Sequence, residues 1–208
     1  MELIAENDRV KFVVTIELHF SRVETLYQQL APARNGKNSR NGDWIIGSLD
    51  LENTAQELAG LNFPEMETHK HFDEVTKWGG GHRFRERART INTPETVASA
   101  FRAAYKKATK GEVAEAVSVI ANLKYVGQSF ASKQIRILMP ETAVTMDSVI
   151  RNRLGYRENK AGYKDFLRDC GTVFERIKIS DEVPDNLKNK LRLCDVEMMI
   201  YQSAKGNG

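Results

Sequence analysis

Cysteine is nearly absent: the 208-residue chain has two, Cys170 and Cys194. Two thiols build neither a disulfide scaffold nor the four-thiolate cradle of an iron–sulfur cluster. Both read as reduced core thiols of a cytoplasmic protein. Long apolar runs are missing as well, and no stretch approaches the roughly 18 residues that a membrane span requires. The opening MELIAENDRVK carries acids where a secretory signal would have basic and then apolar residues, so export is not expected. Proline and glycine are sparse, at 5 and 14, which excludes fibrous and low-complexity classes. With 41% hydrophobic and 28% charged residues, the chain is long enough for one domain with a proper core, or one domain and an appendage.

Charge is unevenly placed. The formal net charge is +3, yet residues 77–92 (KWGGGHRFRERARTIN) alone net +4, so the rest of the chain nets −1. Residues 124–157 hold Lys124, Lys133, Arg136, Arg151, Arg153 and Arg157 against Glu141 and Asp147, again +4. Basic charge gathered on two segments fits a polyanion partner, and equally a solvated basic face. Arg83, Arg85, Arg87 and Arg89 alternate; an extended segment would align them as a phosphate-binding arm, whereas a helix would scatter them.

The texture is helical from about residue 46. The spacing predicts helices over 49–60, from Thr93-Pro94-Glu95 to about Gly111, over 112–122, 128–139, 148–154, 161–177 and 185–204. Residues 10–20, rich in β-branched and aromatic side chains, admit a strand or an apolar helix entry. Residues 32–44, with two Asn-Gly dipeptides, read as a loop. The expected architecture is mainly α: an amino-terminal extension and loop over 1–45, irregular or partly β, and a helical domain over 46–208.

Residues 123–150 read LKYVGQSFASKQIRILMPETAVTMDSVI. A helix ends near Leu123, a turn centres on Val126-Gly127, and a new helix starts at Ser129. A helix start offers unpaired N–H groups and a positive dipole end, which suits a DNA phosphate. Pro140 stops that helix, and an extended stretch then delivers Asp147 to the start of the next. The passage resembles the helix-hairpin-helix DNA glycosylase superfamily, whose members have a hairpin of the form L-x-G-V-G, a helix, and a short apolar stretch ending in Asp. Here these are Leu123-Lys124-Tyr125-Val126-Gly127 and Val144-Thr145-Met146-Asp147, with the hairpin region at 115–157 and the likeness extending over about 115–170. It is closest to small bacterial proteins with the 8-oxoguanine glycosylase fold. Tyr125 replaces the first hairpin glycine. Ser129, 18 residues before Asp147, stands where bifunctional members keep a catalytic lysine, as it does in adenine-mismatch glycosylases. Lys133 lies one helical turn further on the same face.

The resemblance implies excision of a damaged or modified base, 8-oxoguanine or a modified base of phage DNA, in a repair or defence role. Asp147 would stabilise the oxocarbenium sugar and activate water, and Lys133 would supply strand-cleaving lyase chemistry. Lys124, Tyr125, Val126, Gly127, Gln128, Ser129, Arg151, Arg83 and Arg85 would contact DNA, and Trp78 and His82 would form a base pocket or strand wedge. Double-stranded DNA is the expected partner of a cytoplasmic, nucleoid-associated monomer, with no cofactor and no membrane. His69 and His71, at i and i+2 with no third ligand nearby, do not suggest a metal. Each residue also has a plainer role: Asp147 as a helix cap, Lys133 as a surface lysine, Trp78 as a loop anchor, Tyr156, Tyr163 and Phe166 as packing. The alternative is a non-catalytic helix-hairpin-helix DNA-binding protein; a third option is a helical adaptor for an acidic partner protein.

Overall fold

The computed structural model describes residues 4–6, 9–11, 22–38 and 44–206. The run at 10–20 therefore lies outside the described residues except for its first two. The amino-terminal part contributes two short antiparallel ladders. β1 (Ile4–Glu6) pairs with β2 (Arg9–Lys11), Ile4 opposite Lys11, and β3 (Lys37–Asn38) pairs with β4 (Trp44–Ile45). Between them lie α1 (Val23–Gln28) and α2 (Ala31–Asn35). α2 overlaps the start of the stretch expected to be a loop. Pro32 sits in its first turn, where a missing N–H costs nothing and the fixed φ favours the helix.

The remainder is helical: α3 (Ser48–Gly60), α4 (Glu65–Trp78), α5 (Arg85–Ile91), α6 (Pro94–Ala108), α7 (Val113–Ala121), α8 (Gly127–Leu138), α9 (Ser148–Leu154), α10 (Lys160–Ile179), α11 (Asp185–Lys188) and α12 (Leu193–Gly206). Among the described residues the protein is mainly α. α6 shows why. Thr93 caps it by accepting from the Thr96 N–H at 3.2 Å, Pro94 opens it, and Val97, Phe101, Ala104 and Ala108 form one fully buried stripe. α7 packs between α6 and α8; α4 lies across α6 and α8; α12 closes the other side against α9 and α10. Phe72, Phe101, Ile120, Ile135 and Phe166 meet in this core, each fully buried and each contributing about 1.5–3 kcal/mol by leaving water. Cys170 and Cys194 are buried and unbridged.

Two features of the structure bear on function. Residues 85–91 are helical, so of the two arrangements open for the alternating arginines it is the scattered one that Arg85, Arg87 and Arg89 adopt on α5, with Arg83 before its start. The predicted helix over 185–204 is two helices, broken where Leu191 turns inward and the Cys194 N–H donates to Pro140 O at 3.1 Å. No helix among the described residues is long and apolar enough to cross a membrane.

Candidate active site

α8 organises the site from end to end. The turn before it, residues 122–126, is a tight hairpin after α7, with Leu123 and Val126 buried and Tyr125 56% exposed. Tyr125 adopts φ +64°, a left-handed conformation that a glycine would take freely and a tyrosine takes at a cost of order 1 kcal/mol. Asn92 secures the turn: its Nδ2 donates to Lys124 O at 2.9 Å and its Oδ1 accepts from the Lys124 N–H at 2.9 Å. A buried amide using both ends on one residue fixes the hairpin backbone against the end of α5. No side chain caps the N-terminus of α8. Gln128 reaches across to donate to Asn159 O at 2.8 Å, tying the hairpin to the start of α10.

Lys133 lies two turns into α8 and points into a cavity of about 360 Å³. Trp78, Gly79 and His82 line it from the end of α4 and the following loop, Asp147 from the start of α9, Glu197 and Tyr201 from α12. Lys133 Nζ donates to Gly79 O at 2.8 Å and lies 4.4 Å from the Phe130 ring centroid. Among the described residues it forms no ion pair. Burial lowers its pKa below the usual lysine value, with Asp147 and Glu197 pulling the other way. Gly79 makes this packing possible: a Cβ there would come 2.7 Å from Lys133 Cδ.

Asp147 takes an extended conformation at the N-cap of α9, and its Oδ1 accepts from the Ile150 N–H at 3.0 Å. The strand-like stretch before it is held on both sides. Tyr163 Oη donates to Val144 O at 3.0 Å, and the Met146 N–H donates to Ser132 Oγ at 3.1 Å. Asp147 is therefore a cap and a cavity residue at once.

Trp78 lines the cavity and is anchored to the rest of the fold: it donates from Nε1 to Ala33 O at 3.4 Å and stacks with the Arg136 guanidinium at 5.5 Å. Arg136, counted in the sequence as basic surface, is fully buried and paired with Glu52, which Arg192 also grips. Arg192 in turn pairs with Asp195 through Nε at 3.1 Å. This charge chain meets the cavity through the Arg136–Trp78 contact.

The remaining candidates are distributed differently. His82 is exposed at the cavity it lines and Arg83 is exposed outside that lining, whereas Arg85 forks onto both carboxylate oxygens of Asp73. Arg151 pairs with Glu158 at 2.6 Å. Ser129 does not line the cavity; its carbonyl accepts from Ser132 Oγ at 2.8 Å. The amine in the cavity, that of Lys133, thus stands one helical turn beyond Ser129 on α8. His69 donates to Arg89 O and Asn92 O, and no cluster able to hold a metal occurs among the described residues.

No family model, curated protein or solved structure matches the chain. What the cavity does must therefore be argued from its own groups.

Sequence reasoning missed Glu197. Its side chain is 3% exposed, and its Oε2 accepts from the Thr145 N–H at 3.2 Å. Burial raises its pKa to about 8 against the opposing pull of Arg136, the Thr145 N–H and Lys133, with Asp147 reinforcing burial. The available signal was an acid inside the apolar run Val196–Ile200, where a solvated helix face would not put one. Asn92 gave none: nothing in its local sequence marks a residue whose partners lie 32 positions away.

Proposed function

We propose that the protein is a DNA glycosylase that extrudes a damaged or modified base into the cavity beneath Trp78 and cuts its N-glycosidic bond. The observation that carries this is the meeting of Lys133 and Asp147 in one partly enclosed cavity, with Lys133 on the helix that directly follows the exposed hairpin. Extruding a base costs a few kcal/mol of stacking, and an aromatic wall such as Trp78 returns part of it.

Bond cleavage leaves positive charge on the sugar. The Asp147 carboxylate, held by its cap bond to Ile150, meets that charge without reorganising. The Lys133 amine, biased by burial toward its neutral form, attacks C1′ and gives a Schiff base from which strand cleavage follows. The uncapped start of α8 and the exposed Lys124 and Tyr125 face the DNA backbone.

A panel of duplexes tests this: 8-oxoguanine, mismatched, alkylated and hypermodified phage DNA, with released bases read by mass spectrometry. Wild type releases a base and Asp147→Asn does not. Borohydride traps a covalent adduct with wild type and none with Lys133→Gln. Release without any adduct would leave a monofunctional hydrolase. A non-catalytic role has one observation in its favour, the engagement of Asp147 as a cap. It requires salt-dependent duplex binding with no release from any substrate.

A further inference from the structure

One buried group of the cavity has no part in the chemistry above. Glu197 comes from α12, whereas Asp147 comes from the start of α9, and both line the same space. Among the described residues, a backbone N–H from Thr145 is its one hydrogen-bond partner, and no cation forms an ion pair with it. An isolated carboxylate in such a place is costly, whereas a carboxylic acid is not, and the acid form carries a proton to give.

The reaction needs that proton. When the C1′–N bond breaks, its electron pair departs with the base, and a base leaving as an anion is a poor leaving group. We propose that Glu197 is the general acid of base release, passing its carboxyl proton to the departing base while Asp147 holds the oxocarbenium sugar. The assignment rests on the glycosylase reading. The step balances without a further reagent. The Glu197 O–H bond breaks as a bond to hydrogen forms on a base nitrogen or oxygen, and the C1′–N pair goes to the base. C1′ then takes either water, whose proton passes to Asp147, or the Lys133 amine. Glu197, left as carboxylate, recovers a proton from solvent.

The charged and titratable groups around it sort into two sets. Lys133 and Arg136 from α8 favour its anion. Burial, the largest influence, and Asp147 favour the acid, which therefore persists at neutral pH. Tyr201 on α12 is itself pushed upward by burial and stays neutral; Lys77 and His82 line the cavity from the end of α4 and the loop after it. A buried carboxylic acid and a second carboxyl lining the same cavity supply the acid and charge-stabilising pair that glycosidic cleavage uses.

The experiment compares wild type with Glu197→Gln, which keeps the shape and an acceptor for Thr145 but has no acidic proton. Single-turnover release is measured from pH 6 to 9.5 on whichever duplex of the panel wild type cleaves. Wild-type release falls as pH rises through about 8. Glu197→Gln is about 10²–10⁴-fold slower at pH 7, loses that alkaline limb, and binds DNA as wild type does. Infrared spectroscopy of the free protein at pH 7 gives a second readout: a protonated-carboxyl band present in wild type and absent from the variant. Release by the variant within threefold of wild type, an unaltered alkaline limb, or no such band overturns the acid role alone. No release by wild type from any duplex overturns the glycosylase reading, and the acid role with it.

Discussion

Acidification should weaken the fold through one side chain. His71 on α4 is 1% exposed, stands edge-on to Phe101 at 6.4 Å, and neither ring nitrogen finds a hydrogen-bond partner among the described residues. Burial alone lowers its pKa from 6.5 to about 4. The folded protein thus keeps the ring neutral where the unfolded chain protonates it. The unfolded state binds the extra proton below 6.5, so stability is full above that value, declines as pH falls through it, and levels off near 4. A shift of this size is worth roughly 3 kcal/mol over the whole interval and about 1.4 kcal/mol already at pH 5.5. For a chain of this length, 1 kcal/mol moves the melting temperature by about 2–4 °C, so the interval spans roughly 6–12 °C. Carboxylates titrate in the same range, and the decisive quantity is therefore a difference. Urea denaturation of wild type and His71→Met is followed from pH 8 to 4. The two lie within about 1.5 kcal/mol of each other at pH 8, because Met fills a comparable volume, and the variant gains progressively as pH falls. Parallel curves would refute the assignment of a neutral, unpartnered His71.

Three other perturbations separate structure from chemistry. Asp147→Asn keeps the α9 cap and melts with wild type to within about 0.5 kcal/mol, whereas Asp147→Ala loses about 1 kcal/mol more; both abolish base release. Asn92→Ala removes two hydrogen bonds to the Lys124 backbone, costs about 1–3 kcal/mol in denaturant, and weakens duplex binding in gel-shift titrations more than it slows release at saturating DNA. Glu52→Leu strands the buried Arg136 and costs about 3–5 kcal/mol by thermal denaturation, and the loss of order reaches Trp78 and is read in its fluorescence.

The legible part of the fold was the part whose burial is apolar. α6, α7 and α8 show helical stripes of Val, Ile, Ala and Phe, and their ends fall within three residues of expectation. α4 did not announce itself. Its buried face is Thr68, His71, Phe72, Asp73, Val75 and Thr76, largely polar, and a periodicity built on apolar residues passes over it. The same blindness hid the site. Lys133 and Asp147 were legible because a motif framed them. Glu52 in α3 and Glu197 in α12 are buried against partners distant in sequence, Arg136 and the Thr145 N–H, while Asp195 in α12 is paired with nearby Arg192. Arg136 erred in the opposite direction: a net-charge count treats every arginine as solvated, and this one has no exposed surface.

α8 is also a ruler. Its first residue belongs to the hairpin and its seventh is Lys133, with unbroken helix between. At about 1.5 Å per residue, the lysine backbone stands about 9 Å along the axis from the turn, a distance no loop adjusts. Whatever seats against Tyr125 and Gly127 is thereby placed at a set reach from the amine. A single residue inserted between Gly127 and Lys133 would add only about 1.5 Å but would swing the lysine by about 100°, out of the cavity and into the packing of α7 or α4. Length is forgiving there; phase is not. Substitutions within the hairpin leave this spacing intact, whereas any insertion or deletion between Gly127 and Lys133 changes it.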